Sequence, residues 1–193
     1  MDIQLFNKLM EKEPTQHLPE WQMFLEFCEM YLKKHEIENP IVVELGTNKN
    51  RQKKFYEQLL GARHIGIDKA SIEGGPDILG NLHHPMTMKV LKEMLGGKPI
   101  NILFIDSGHH YGQVKEDYEI YSPLCSDIIA FHDIENCRQK DNTHMMVWKL
   151  WDELKMKVYK GKEWYKDFTT LSIYQHKCTG NKRQLGIGMM IKG

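Results

Sequence analysis

The sequence predicts an α/β fold: a Rossmann-like, mostly parallel seven-stranded sheet with helices on both faces and a C-terminal antiparallel hairpin. Three observations lead there. From residue 41 onward, short apolar runs alternate with helical patterns. Those runs are apolar along most of their length, which suits strands buried on both faces. The last two runs, "FTTLSIYQ" and "QLGIGMMIK", are separated by "HKCTGNKR" with no helix, so they should pair antiparallel. Right-handed crossovers bring the C-terminal ends of the parallel strands to one edge, where ligands of such sheets bind.

Residues 1–38 read as helices. Ile3, Leu5, Phe6, Leu9 and Met10 can share a face of the first, Pro14 interrupts, and Pro19 suits the first turn of the second. In that second helix Trp21, Phe24, Leu25, Cys28, Tyr31 and Leu32 recur at helical spacing. This apolar stripe is expected either to cap the sheet or to form a homodimer contact. "PIVVELG" is the first strand, and "RQKKFYEQLLG" is a helix with Gly61 as its C-cap. "HIGID" is the second strand, and "GGPDILGN" holds a short third one after a turn. "PMTMKVLKEMLGG" is a helix stopped by Gly96 and Gly97, "INILFID" a strand, and "YGQVKEDYEIYSPL" a helix. "DIIAFHD" is a strand and "THMMVWKLWDELK" a helix. No linker or repeat interrupts this order, so residues 1–193 read as one domain, with residues 40–192 as its core.

Composition excludes several function classes. Lys+Arg and Asp+Glu each total 26, giving a formal net charge of zero and no surplus for a general nucleic-acid binder. The basic run "NKNRQKK" reads as a solvated helix start. No apolar run approaches ~18 residues, so no membrane partner is expected. Cys28, Cys125, Cys137 and Cys178 form no CxxC pair and read as reduced thiols of a cytoplasmic protein. The acidic, amphipathic N-terminus does not read as a signal peptide.

Chemistry concentrates at the strand ends. "VVELG" ends in Glu44 and Gly46, "HIGID" in Asp68, "ILFID" in Asp106, and "IIAFHD" in His132 and Asp133. Between the last two lies "SGHHYGQVKEDYEIYSPL", with His109 and His110 directly after the strand. Acids at the ends of consecutive strands repel one another unless something positive sits among them. Asp106 and Asp133 supply the hard oxygens that Mg²⁺ or Mn²⁺ prefers, with His132 adjacent. His109 or His110 can serve as a general base, because histidine titrates near neutral pH. Asp117 reads as an organising hydrogen-bond partner, and His83 and His84 as loop residues.

These residues resemble those of the class I S-adenosylmethionine-dependent methyltransferases. "VVELGT" is similar to that fold's first motif and "IGID" to its second. The pattern of Asp106, His109, Tyr111, Asp117, Tyr121, Pro123, Leu124, His132 and Asp133 resembles the branch of cephalosporin hydroxylase-like proteins and bacterial O-methyltransferases. The resemblance spans about residues 40–192. It implies a cofactor site for S-adenosylmethionine built from Glu44, Gly46, Thr47, Asp68, Asn81 and Asp106. It also implies a metal, Mg²⁺ or Mn²⁺, on Asp106, His132 and Asp133. Catalysis would fall to His109 with Asp106, on a small hydroxylated molecule such as a sugar or secondary metabolite. The first turn departs from the pattern: "GTNKNRQ" holds one glycine, with Asn48 and Asn50 in place of others.

Two further readings stay open at this level. Histidines and carboxylates on one rim also suit Fe(II) with open positions for oxygen. Alternatively, the glycine-poor turn marks a methyltransferase fold used for binding alone. Trp164 and Tyr165 are candidates for an aromatic substrate wall or for packing, and the polar loop 135–144 is expected to move on substrate binding.

Overall fold

The computed structural model describes residues 1–11, 16–70, 72, 74–136, 144–174 and 185–193. Within them the chain runs α1 (Ile3–Met10), α2 (Leu18–Lys34), β1 (Ile41–Leu45), α3 (Lys53–Leu60), β2 (Arg63–Asp68) and β3 (Ile78–Leu79). It continues through α4 (Pro85–Leu95), β4 (Ile100–Ile105), α5 (Tyr111–Tyr121), β5 (Cys125–His132) and α6 (Val147–Tyr159). β6 (Phe168–Ile173) and β7 (Ile187–Lys192) close the fold. One seven-stranded sheet has the order β3-β2-β1-β4-β5-β7-β6. β1 to β5 are parallel, while β7 lies antiparallel to both β5 and β6. The expected fold class is therefore the observed one, hairpin included.

Period-two alternation divides the sheet into two faces. Ile41, Val43, Leu45, Ile65, Leu103, Ile105, Ile129 and Phe131 pack with α4, α5 and α6. Val42, Ile102, Phe104, Ile128 and Ala130 point to the other face, beneath α1, α2 and α3. Phe6, Trp21, Phe24, Leu25 and Cys28 belong to that second core, so the apolar N-terminal helices cap the sheet. Trp21 sits edge-on to Phe55, Tyr56 and Phe104, joining α2 to α3 and β4.

Local signals act where expected. Gly61 and Gly96 end α3 and α4 in the left-handed conformation. Pro19 and Pro85 stand in the first turns of α2 and α4. α6 begins at Val147, later than its pattern suggests, and this leaves Met145 free to face the cavity described below. Cys28 and Cys125 are unpaired, whereas Cys137, Cys178 and Pro14 lie outside the described residues. Most of the polar loop expected to move, 137–143, also lies outside them. No described helix is long and apolar enough to cross a membrane.

Trp151 on α6 is fully buried against Phe131, and its indole N–H donates to Ser172 Oγ on β6 at 3.0 Å. Its ring also fills the space above Gly188, where a Cβ would come within 2.7 Å of it. Trp151→Ala removes both the packing and the tie to β6. The expected loss is about 3–5 kcal/mol, a fall of roughly 10 °C in the calorimetric midpoint for a chain of this size.

Candidate functional site

The ends of β1, β2, β4 and β5 open into one cavity of about 860 Å³. Sheet hydrogen bonding continues past the strands at this rim, Gly46 N donating to Ile67 O and Asp106 N to Leu45 O. Gly46, at φ +85°, is where β1 turns. A Cβ there would lie 2.4 Å from Asp106 O and 2.5 Å from Ser107 Cα, so no side chain fits. Asn48 and Asn50 take left-handed φ of 49° and 52°, the role expected of asparagine in a glycine-poor turn. The Asn50 amide donates away from the cavity, to Gly75 O at 2.9 Å.

Asp68 closes this half of the site. Its two oxygens accept from Asn48 N at 2.8 Å and Ala70 N at 2.9 Å. A carboxylate has further lone pairs, so both oxygens retain capacity for ligand hydroxyls. Asn81 and Leu82 line the wall after β3, and Ser107 and Gln113 the wall after β4. His83 faces the same wall, held by Asp117, which is 1% exposed and also accepts from Ser107 Oγ. Asp117 thus organises two rim loops, as expected of it. His83 stands in the loop before α4, as expected, and its contact with Asp117 is an addition that the sequence did not signal.

Asp106, His109, His132 and Asp133 form the other half. Register carries Ile105 beside Phe131, so the next pair across the strands is Asp106 and His132. His132 Nδ1 lies 3.0 Å from Asp106 Oδ1 and 3.7 Å from Asp133 Oδ1. His109 Nε2 lies 2.8 Å from Asp133 Oδ2. Asp133 takes φ +64°, and this left-handed turn brings its side chain back to the site instead of to the opposite face. Ligand atoms of Asp106, His109 and Asp133 all lie within 4.8 Å of one another. This set shares Asp106 and Asp133 with the expected metal set and has His109 where that set has His132. Two partners had no signal in the sequence: Gln16 donates to Asp106 and Asn136 to Asp133.

Gly46, Asp68, Asn81, Asp106, His109, His132 and Asp133 therefore share one cavity. Glu44 and Thr47 are absent from its lining, both at 0% exposure. Alternation turns Glu44 to the same face as Val42, where its Oε2 meets His64 Nε2 at 2.9 Å. Thr47 packs its methyl over Gly66, where an added Cβ would come within 2.5 Å of it. Trp164 is also absent from the cavity lining, its ring tilted against Phe168 and edge-on to Tyr118.

No protein-family model matches the chain, and no curated protein matches it. Solved structures do. The methyltransferase MycE of the mycinamycin biosynthetic pathway, in complex with Mg, SAH and mycinamycin VI, superposes with a TM-score of 0.68 at 10% identity. That match covers 97% of this chain and 53% of MycE, so the chain spans about half of MycE's length. The O-methyltransferase TomG of Streptomyces achromogenes, in complex with SAM, gives 0.60 at 12% identity over 92% of this chain and 82% of TomG. An O-methyltransferase of Bacillus cereus, in complex with SAH, gives 0.57 at 10% identity over 97% and 90% of the two chains. The chain has the fold of these methyltransferases.

Electrostatics of the cluster predict a pH profile for the metal-free protein. Burial lowers the His132 pKa, but the charges of Asp106 and Asp133 outweigh it and hold it at about 9. The hydrogen bond to Asp133 raises that of His109 against burial. Burial raises Asp133, but His109 and His132 bring it below its ordinary value. A histidine raised in the fold stabilises fully below its unfolded pKa of ~6.5 and loses that contribution as pH rises. A depressed carboxylate does so above ~3.9 and loses it in acid. Thermal midpoints of metal-free protein should therefore be highest between about pH 4 and 6.5. They should decline from there toward pH 9, and His132→Gln should flatten that alkaline limb.

Proposed function

We propose that the protein is an S-adenosylmethionine-dependent O-methyltransferase that uses a divalent metal, Mg²⁺ or Mn²⁺, and acts on a small hydroxylated molecule, a sugar or secondary metabolite. The observation that carries this reading is the single cavity joining the Gly46–Asp68–Asn81 rim to the Asp106–His109–His132–Asp133 cluster. A cofactor on one half and a hydroxyl on the other would meet at Asp106, which belongs to both. Methyltransferases of this fold bind SAM or SAH, and MycE binds Mg as well. That likeness favours a transferase over an Fe(II) oxygenase. A cavity with Asp68 and Gly46 in place argues against a fold kept for binding alone.

The residues present fit both groups. Gly46 lines the cavity with backbone alone, and Asp68 faces the same cavity with lone pairs to spare. Asp106 and Asp133, with His109 or His132, form a mixed oxygen and nitrogen donor set suited to a hard cation. When bound, the cofactor supplies an electrophilic methyl group and the metal lowers the pKa of a coordinated hydroxyl.

The chain's own residues hold and deprotonate that hydroxyl. Asp133 orients the His109 ring through Nε2 and stabilises the imidazolium form. The His109 side chain is 36% accessible, enough to meet a substrate proton. Asp106 is anchored by its backbone N–H to Leu45 O, which fixes the distance between the two halves. Such positioning supplies most of the rate in a displacement of this kind.

Calorimetry tests the cofactor. The intact chain should bind S-adenosylmethionine at micromolar concentration, and Asp68→Ala should weaken it at least about 10-fold by removing the ribose acceptor. No binding by the intact chain, with or without Mg²⁺, would sink the reading. Once an acceptor is known, His109→Ala should lower kcat by about 10²–10⁴-fold, the usual share of a general base. It should do so with little change in cofactor affinity; a kcat within threefold of the intact enzyme would assign the base elsewhere.

A further inference from the structure

Each of the two acids in the cluster carries one primary amide. Gln16 Nε2 donates to Asp106 Oδ2 at 3.0 Å, and Asn136 Nδ2 donates to Asp133 Oδ1 at 3.1 Å. Both amides are nearly withdrawn from water, Gln16 at 6% and Asn136 at 4% exposure. They come from unrelated places, one just before α2 and the other just after β5.

A carboxamide suits a particular task here. It stops a carboxylate from rotating by occupying one lone pair, yet leaves the negative charge intact. An ammonium or guanidinium would neutralise that charge and compete with a cation. The ion partners of Asp106 and Asp133 are histidines alone among the described residues. Asp106 thus presents one oxygen to His132 and the other to Gln16, while Asp133 presents Oδ2 to His109 and Oδ1 to Asn136, with His132 3.7 Å from the latter.

The two amides act at different levels. Asn136 grips Asp133 twice, because its backbone N–H also donates to Asp133 O at 3.2 Å. Asp133 is a non-glycine residue at φ +64°, a conformation that persists only where its surroundings enforce it. Gln16 makes its contact at a cost: its Oε1 is buried with no hydrogen-bond partner among the described residues. Flipping the amide would bring that oxygen against Asp106 Oδ2, two acceptors facing each other. The side chain is therefore placed for Asp106 at the expense of its own carbonyl.

The geometry points to Gln16 and Asn136 as positioning residues that hold Asp106 and Asp133 ready for a divalent cation. This rests on the metal site proposed above. Because Gln16 lies outside the strand-and-helix core, the N-terminal helices become part of the functional site and are more than a cover for the sheet.

Mn²⁺ is the probe, titrated into the full chain by electron paramagnetic resonance, with SAH affinity and thermal midpoint measured on the same samples. Gln16→Met and Asn136→Leu keep the shape and remove the donor. Each should weaken Mn²⁺ binding by about 10-fold or more, the usual effect of losing a partner behind a metal ligand. For Asn136→Leu, whose partner Asp133 belongs to the metal half alone, SAH affinity should stay within about twofold, a separation that general loosening of the fold would not give; for Gln16→Met, whose partner Asp106 serves both halves, the loss of Mn²⁺ affinity should exceed the loss of SAH affinity. Asn136→Ser, which retains a hydroxyl donor, should recover part of the loss, and it replaces Asn136→Leu if that variant does not fold. Mn²⁺ affinity within twofold of the intact chain in both folded amide variants overturns the inference. Asp106→Asn separates the two levels. If the intact chain binds no Mn²⁺, or Asp106→Asn binds it equally well, the metal reading falls and this inference with it. If Asp106→Asn loses Mn²⁺ while the amide variants keep it, only the positioning role falls.

Discussion

The contact between Gly46 and the backbone of Asp106 and Ser107 is the constraint on which the rim depends. β1 and β4 are neighbours, and both turn at the same level, so their first residues beyond the sheet are forced together. Only a residue without a side chain can sit there, since a Cβ would overlap a carbonyl oxygen and a Cα. Hydrogen bonds on either side, Gly46 N to Ile67 O and Asp106 N to Leu45 O, lock the arrangement. The consequence is a fixed offset between the turn that approaches Asp68 and the acid that opens the His/Asp cluster. Neither half of the cavity can shift without breaking a sheet hydrogen bond.

That geometry gathers acids, and the chain resolves the repulsion in two separate ways. Glu44, inside the strand, is fully buried and burial raises its pKa; its partner is His64, whose own pKa is raised by Asp77 and Glu44 against burial. Asp77 in turn bonds Lys53 at 2.6 Å and Gly66 N at 2.8 Å. This chain of alternating charges runs beneath the glycine-poor turn and away from the cavity. At the rim, Asp106 and Asp133 are balanced by His132 and His109, which titrate, and by two neutral amides, which do not. Buried pairs of the first kind are weak evidence for stability but costly to break. The rim, in contrast, has histidine counter-ions that can give up their proton when a cation binds to the acids.

Much of this was legible in the sequence because it depends on local pattern. The fold class followed from apolar runs alternating with helices, and the convergence of Gly46, Asp68, Asp106, His109, His132 and Asp133 followed from strand ends sharing one edge. The residues that fall outside the cavity do so for definite physical reasons. Glu44 looks like a rim residue when one counts from the end of its run, but period-two alternation and two residues of depth put it under α3. Thr47 follows the turning glycine, yet the turn folds it back onto Gly66. For Trp164 the sequence left an aromatic wall and packing both open, and its ring packs against Phe168 and Tyr118. Gln16 and Asn136 escaped notice because nothing local distinguishes a glutamine before a helix or an asparagine in a turn; only tertiary placement gives them their partners.

The same contrast explains how the turn after β1 manages with one glycine. Glycine offers left-handed backbone freely but loses the most conformational freedom on folding. Asparagine reaches that region at moderate cost and brings a side chain that can be anchored. Here Asn48 offers its N–H to Asp68, and Asn50 offers its amide to Gly75. Lys53, at the start of α3, reaches Asp77. The turn is therefore pinned at three points to the β2–β3 region, and its shape is set before any ligand arrives. A glycine-rich loop achieves close approach by being able to adopt the required path; this one achieves it by being held there. For the proposed reaction, in which a cofactor and an acceptor would meet at Asp106, a held turn serves positioning better than a permissive one, because less order remains to be imposed on binding.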